Sequence, residues 1–371
     1  AELGHEVFLI EKEKDLGGNL REAFSTLRGS NPQTLLEELT RSVQSNGNIH
    51  VLTEASVTGF ERKDGHYQTV VRHQDKEAVL RHSALILATG GKEIAPKDYL
   101  FGKDPRVITQ RQLERRIHRK EGDWKGARSV VMIQCVGSRD EEHPYCSRVC
   151  CGHAVKNALK LKEQDPAAQV FILYRDVRTY GLNETRYQEA RGKGVLFIRY
   201  DPDRKPEVNP TGEGLQVSLE DPVLGRRVLL TADYVVLSTG IEPRENQDLA
   251  RIFGVERNPD GFFQEANPKS APLDFVDRGK FLCGLCHSPV PMEDAISQGN
   301  AVAARASALL ARETVEEKAT VAYVKKRLCC GCGLCVEACP YGARSLNEEE
   351  GKAEVDGYLC QGCGSCVIAC R

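Results

Sequence analysis

Apolar residues in this chain gather into short unbroken runs set apart by long polar stretches: Val7-Phe8-Leu9-Ile10, Ala84-Leu85-Ile86-Leu87, Val130-Val131-Met132-Ile133, Val235-Val236-Leu237 and Phe281-Leu282. Runs without apolar/polar alternation predict strands covered on both faces, as in a parallel sheet flanked by helices. Glu2-Leu3-Gly4-His5 ahead of the first run reads as a helix end with a glycine cap. Ala154, Ala158 and Leu161 share one helical face, and Asn300 to Leu310 forms an Ala-rich helix. The pattern is that of an α/β protein. No run of eighteen apolar residues occurs, and the N-terminus lacks a basic region followed by an apolar one, so neither a membrane span nor a signal peptide is expected.

The first run ends in Glu11. In a dinucleotide fold the acid closing the second strand holds ribose hydroxyls, about 20 residues after a G-x-G-x-x-G loop. Only ten residues precede Glu11, so the loop is expected before residue 1 and the chain is expected to be truncated at its start. Gly17-Gly18 follows, and the run ending at Leu87 enters Ala88-Thr89-Gly90-Gly91, small residues that let a backbone approach a flavin nucleotide. A related step, Val235 to Gly240, recurs about 150 residues later, where a chain with two dinucleotide domains returns from the second to the first. Phe281-Leu282-Cys283-Gly284 then leads to Ala295-Ile296-Ser297-Gln298-Gly299 and a helix whose N-terminus would face an isoalloxazine. The order of these pieces predicts FAD, held by Glu11, Gly17, Gly18, Ala88, Thr89, Gly90, Gly284 and Gln298.

Length and composition change the picture mainly through cysteine. With 371 residues, 40% hydrophobic and 28% charged, the chain suffices for two or three cored domains, and a net charge of -2 gives no case for nucleic acid. Fifteen cysteines are present. Cys329-x2-Cys332-x2-Cys335-x3-Cys339-Pro340 and Cys360-x2-Cys363-x2-Cys366-x3-Cys370 repeat one spacing 31 residues apart. That spacing predicts a ferredoxin module with two 4Fe–4S clusters, one on Cys329, Cys332, Cys335 and Cys370, the other on Cys360, Cys363, Cys366 and Cys339. Zinc knuckles are the alternative, although tetrahedral zinc sites use separated pairs of cysteines. Cys330 is an extra neighbour, and Arg371 stands where the second run would have proline. Cluster thiols require a reducing compartment, so a cytoplasmic location is expected.

The run Val130–Ile133 should enter a glycine-rich phosphate loop and enters Gln134-Cys135-Val136-Gly137-Ser138-Arg139 instead. Ten residues separate Cys135 from Cys146, and three more precede Cys150-Cys151 at a predicted helix start. Free N–H groups and the positive dipole end suit an anionic centre there, with Arg139 and Arg148 as further compensation. A third 4Fe–4S cluster on Cys135, Cys146, Cys150 and Cys151 is expected; zinc and buried structural cysteines are the alternatives. His143, His153 and His287 read as packed or solvated residues, and no general acid or base is nominated.

Cys135-Val136-Gly137-Ser138-Arg139, Tyr145-Cys146-Ser147-Arg148-Val149-Cys150-Cys151, Tyr180-Gly181 and Gly194 to Tyr200 together resemble the HdrA family of heterodisulfide reductase components, and the resemblance covers the whole chain. It implies a thioredoxin-reductase-like double dinucleotide-binding (Rossmann-type) flavoprotein fold with a C-terminal α+β ferredoxin domain. It also implies a cluster on the four cysteines beside FAD and a place in an HdrABC-type complex, whose electron donor and disulfide-reducing component would be its partners. Full assemblies of the family perform flavin-based electron bifurcation. A homodimer is compatible with this, and direct membrane insertion is not expected. Three departures accompany the resemblance: no flavin phosphate loop, no N-terminal cluster segment, and a Cys283-x2-Cys286 pair near the expected flavin.

The domains expected are 1–112 for the first part of the FAD-binding domain, 113–240 for the second dinucleotide-type domain with its cluster, 241–312 for the rest of the FAD-binding domain, and 320–371 for the ferredoxin domain. Charged residues from Arg312 to Lys318 form the linker. Two rivals remain: an NAD(P)H-dependent disulfide reductase using Cys283 and Cys286, weakened by the lost phosphate loop, and a non-enzymatic ferredoxin adaptor without flavin. Packing is the preferred role for that cysteine pair.

Overall fold

The structure is a computed structural model that describes residues 1–371 except 64–65, 122–127, 213, 313–320, 358 and 371. The expected linker therefore lies almost wholly outside the described residues.

The strand Val7–Ile10 pairs in parallel with Ile49–Leu52, the helix Pro32–Ser45 making the crossover. Asn31 caps that helix by accepting from Gln33 N, with Pro32 in the first turn, where its missing N–H is not needed. A three-stranded meander, Ala55–Lys63, His66–His73 and Lys76–His82, leads to the strand Leu85–Leu87, which pairs in parallel with Lys280–Leu282 from the far end of the chain. Residues on both sides of the middle segment thus build one body.

The middle segment builds a second. Its five parallel strands run in the order Leu196–Arg199, Gln169–Tyr174, Ser129–Val136, Tyr234–Thr239 and Val107–Thr109. Val107–Thr109 lies before the expected start at 113, and the helix Gln110–Arg119, with a capping box at Thr109, straddles that position. Alternate residues of the central strand feed two cores. Val130 and Met132 face Ala154, Ala158 and Leu159 of the helix Cys150–Gln164; Val131 and Ile133 face Leu215 and Val217 of a second antiparallel meander. Burial of both faces is the physical reason the sequence shows unbroken apolar runs.

The chain crosses between the bodies at an antiparallel pair, Gly91–Glu93 with Ile241–Pro243. Gly240 sits at this crossing because a Cβ there would come within 2.6 Å of Gly137 O. The C-terminal part has a hairpin, Arg344–Asn347 with Lys352–Val355, and two short helices, Leu334–Glu337 and Ser365–Ala369. No helix among the described residues is long and apolar enough to cross a membrane.

Candidate functional site

By strict alternation Cys135 would follow Val131 and Ile133 into the meander-side core. It does not, because Cys135 takes φ +61° and the pairing with Tyr234–Thr239 shifts register between Leu237 and Thr239. Val136 occupies the core position instead. A left-handed non-glycine residue costs of order 1–3 kcal/mol and persists only where its surroundings hold it. Here the Tyr200 hydroxyl donates to Gln134 O at 2.8 Å, and Arg175 Nη1 donates to Arg139 O at 2.7 Å.

The loop after the strand doubles back. Arg139 N donates to the carbonyls of His143 and Tyr145, and Ser138 Oγ donates to Tyr145 O, which brings Cys146 back toward Cys135. Ser147 Oγ accepts from Ile241 N and Tyr145 Oη donates to Ile241 O, tying the loop to the crossing strand. The helix then opens at Cys150 with Val149 as an N-cap that provides no side-chain hydrogen bond. Cys135, Cys150 and Cys151 are buried and Cys146 is half-buried.

These four thiols feel one another. Burial, then Cys151, push the Cys135 thiol up to about 11, with Arg139 and Arg175 opposing. A hydrogen bond to Cys151, burial and the neighbouring thiols push Cys150 well up, while the same bond pulls Cys151 down. Burial thus favours the protonated thiol at Cys135 and Cys150, and metal coordination would remove those protons outright. Four grouped thiols, arginines and free helix N–H groups fit an anionic cluster. Among the described residues no three His, Cys, Asp or Glu side chains converge as ligands of a single ion.

In the ferredoxin part the Cys335 thiol lies near Cys329 and Cys370, grouping the first run with the last cysteine of the second. Backbone N–H groups point at sulfur: Ala353 N donates to Cys329 Sγ at 3.3 Å and Ala322 N to Cys360 Sγ at 3.4 Å. Arg344 Nη2 donates to Cys366 Sγ at 3.1 Å, and Ser365 Oγ lies 3.4 Å from Cys363 Sγ. Cys332 is exposed, Cys339 half-buried and Cys330 exposed.

The expected flavin contacts fall in three groups. Gly284 N donates to Gln298 Oε1 at 2.7 Å, joining the loop to the helix Met292–Leu310. Gly17 and Gly18, both at positive φ, precede Asn19, whose Nδ2 donates to Gly91 O at 2.8 Å, beside Ala88, Thr89 and Gly90. Thr89 Oγ1 is buried without a partner among the described residues, as a hydroxyl awaiting a ligand would be. Glu11 ends its strand with its carboxylate accepting from Glu13 N at 2.9 Å.

Cys283 and Cys286 are free thiols in different cores, Cys286 with Leu87, Leu282 and Phe263, Cys283 with Phe281 and Val302. Cys286 Sγ sits 3.2 Å from Leu87 O and 3.1 Å from Cys283 O, and burial pushes its thiol up to about 12. An inert, packed pair is what that environment produces. His153 bonds Glu114 at 2.7 Å and His287 faces Glu265 at 3.3 Å, both half-buried. The roles of Arg175, Tyr200 and Glu114 escape sequence reasoning because each acts on residues tens of positions away.

Residues 328–371 match the 4Fe-4S dicluster domain family. The chain is 41% identical over 286 residues to an iron-sulfur HdrA component, the second of its type, of the CoB--CoM heterodisulfide reductase of Methanopyrus kandleri, covering 72% of this chain and 43% of that one. It is 34% identical over 360 residues to the HdrA component of the ferredoxin:CoB-CoM heterodisulfide reductase of Methanosarcina mazei, covering 92% of this chain and 43% of that one. It therefore spans less than half the length of these curated relatives. Among solved structures, the thioredoxin reductases of T. acidophilum (TM-score 0.56, 16% identity, 84% of this chain and 93% of that one) and Lactococcus lactis (TM-score 0.53, 15% identity, 82% and 99%) share its fold. With a thioredoxin-reductase-like fold, a dicluster domain and these relatives, the chain belongs to the HdrA family of heterodisulfide reductase components.

Proposed function

We propose that this chain is an electron-transferring iron–sulfur flavoprotein, an oxidoreductase component that holds FAD and three 4Fe–4S clusters and passes electrons between them. Its partners are the other subunits of an HdrABC-type complex, an electron donor and a disulfide-reducing subunit, in the cytoplasm. The observation that carries the reading is the group of Cys135, Cys146, Cys150 and Cys151 at a helix start, where a dinucleotide domain would hold pyrophosphate. When bound, the clusters supply one-electron steps and the flavin supplies exchange between pairs and single electrons. The protein's part is to hold, orient and compensate charge: Cys329 and Cys360 accept backbone N–H bonds, Arg344 faces Cys366, and Arg139, Arg175 and Arg178 surround the four-cysteine group. Such bonds to sulfur and such charges tune reduction potential. Thr89 Oγ1 and the positive-φ Gly90 and Gly284 offer the flavin a hydroxyl and close backbone approach. Splitting of electron pairs between two acceptors is a finer reading supported by the family resemblance.

Anaerobic reconstitution tests it: three groups of four cysteines predict about twelve iron and twelve sulfide per chain. Cys150→Ser should remove about four of each and leave the ferredoxin signals unchanged. A wild-type value near eight would remove the third cluster from the assignment.

A further inference from the structure

We infer that Arg175 is the positioning residue of the four-cysteine centre, locking the turn at Cys135 and supplying an uncompensated positive charge beside it. The inference rests on the reading of Cys135, Cys146, Cys150 and Cys151 as a 4Fe–4S site.

Arg175 follows directly on the strand Gln169–Tyr174, forty residues from Cys135 in sequence. It brackets the strained turn from both sides. Its Nη1 donates to Arg139 O at 2.7 Å, on the far side of Cys135. On the near side its guanidinium lies against the Tyr200 hydroxyl, which itself donates to Gln134 O at 2.8 Å. Freed from these two carbonyl anchors, a cysteine at φ +61° would relax toward an ordinary strand conformation and turn its thiol to the opposite core.

Charge distinguishes Arg175 from its neighbours. Arg139 and Arg178 both pair with Asp176, and Arg148 pairs with Asp294. Among the described residues Arg175 has no carboxylate partner, and its Nε is buried without any hydrogen-bond acceptor. A buried cationic donor left unmatched is costly, so its retention calls for an anion close by. Four thiolates around an iron–sulfur core supply one, and a guanidinium offers them a planar fork of donors that an ammonium lacks.

The full chain, reconstituted anaerobically as wild type, Arg175→Gln and Arg175→Lys, gives the test. Iron is counted, and each centre is titrated by EPR-monitored reduction, with Cys150→Ser identifying the signal of the four-cysteine centre. Arg175→Gln should keep about twelve iron. Its four-cysteine centre should become at least tenfold harder to reduce at fixed potential, about 59 mV for a one-electron couple, because the reduced form carries the extra negative charge. Arg175→Lys should shift less while altering the line shape, and the ferredoxin centres should not move. An unmoved midpoint in Arg175→Gln overturns the inference. If Arg175→Gln loses four iron, retention of all iron with a shifted midpoint in Arg175→Lys upholds it, and loss in both overturns it. A wild-type chain with eight iron refutes the four-cysteine site itself, a result distinct from the failure of Arg175.

Discussion

One glycine in the ferredoxin part is placed by a tolerance too small for any side chain. Gly331, between Cys329 and Cys332, has φ +72°, and a Cβ there would lie 2.2 Å from Gly351 O. Backbone cannot yield as a flexible side chain can, so the turn that carries Cys329, Cys332 and Cys335 must move as a unit. Gly331→Ala should therefore lose about four iron per chain while retaining the second ferredoxin centre and the four-cysteine centre. An iron assay with EPR reads this directly, and full retention would show that the turn is not the frame of that site. The two thiols at Cys283 and Cys286 teach the converse. Their spacing is compatible with redox chemistry, but burial in separate cores and the high thiol pKa of Cys286 give each a packing role.

At the scale of elements, the strand Ser129–Val136 carries the main conflict between local preference and site geometry. Its regular part obeys a period of two, and Cys135, the expected ligand, departs from it. Removing the thiol separates ligation from strain: in metal-free chains Cys135→Gly should be more stable than Cys135→Ala by about 1 kcal/mol, since glycine adopts positive φ freely and alanine does not. Thermal denaturation of the two variants orders them, and a more stable alanine variant would deny that the turn is strained. The ferredoxin runs were legible because all ligands of a run lie within eleven residues, so spacing alone carries the chemistry. The four cysteines from Cys135 to Cys151 stand out because they lie within seventeen residues and end at an expected helix start. The roles of Arg175 and Tyr200 beside Cys135 were not legible, because only parallel pairing of Gln169–Tyr174 with both Ser129–Val136 and Leu196–Arg199 brings them there. Val107–Thr109 was missed because three residues give no period to read.

At the scale of the molecule, one clasp that joins the two dinucleotide-type bodies is built around Glu114. This residue, only 4% exposed, stands on the helix Gln110–Arg119 of the second body. Its Oε1 accepts from Phe24 N at 2.8 Å and Ser25 N at 3.0 Å, both in the first body, and its Oε2 lies 2.7 Å from His153 Nε2 and 2.8 Å from Lys156 Nζ. Lys156 returns to the same segment by donating to Ser25 O at 2.8 Å, and Arg186 Nε donates to Leu27 O at 3.0 Å. His153 and Lys156 belong to the helix that opens with Cys150 and Cys151, so the clasp fixes the four-cysteine centre against the body expected to carry the flavin. Burial works against its ionisation, yet hydrogen bonding with His153 and the charge of Lys156 hold the Glu114 carboxyl well below the usual carboxylate range. A depressed carboxyl contributes stability that is complete above its unfolded value, about 4.3, and is lost only as pH falls through the lower folded value. Between pH 7 and pH 5 the Glu114 carboxylate should accordingly stay ionised, while His153, whose pKa burial lowers, loses part of its share of the clasp as pH falls below its unfolded value, about 6.5. Glu114→Ala leaves the buried Lys156 without its carboxylate and two backbone donors unmatched, a loss of about 3–5 kcal/mol. Because 1.4 kcal/mol is a tenfold change, amide protection at Phe24 and Ser25 should fall by at least about a hundredfold. Hydrogen exchange of the reconstituted chain measures both effects, after correction for intrinsic rates. Protection that survives Glu114→Ala would mean that other contacts hold this segment of the first body to the second.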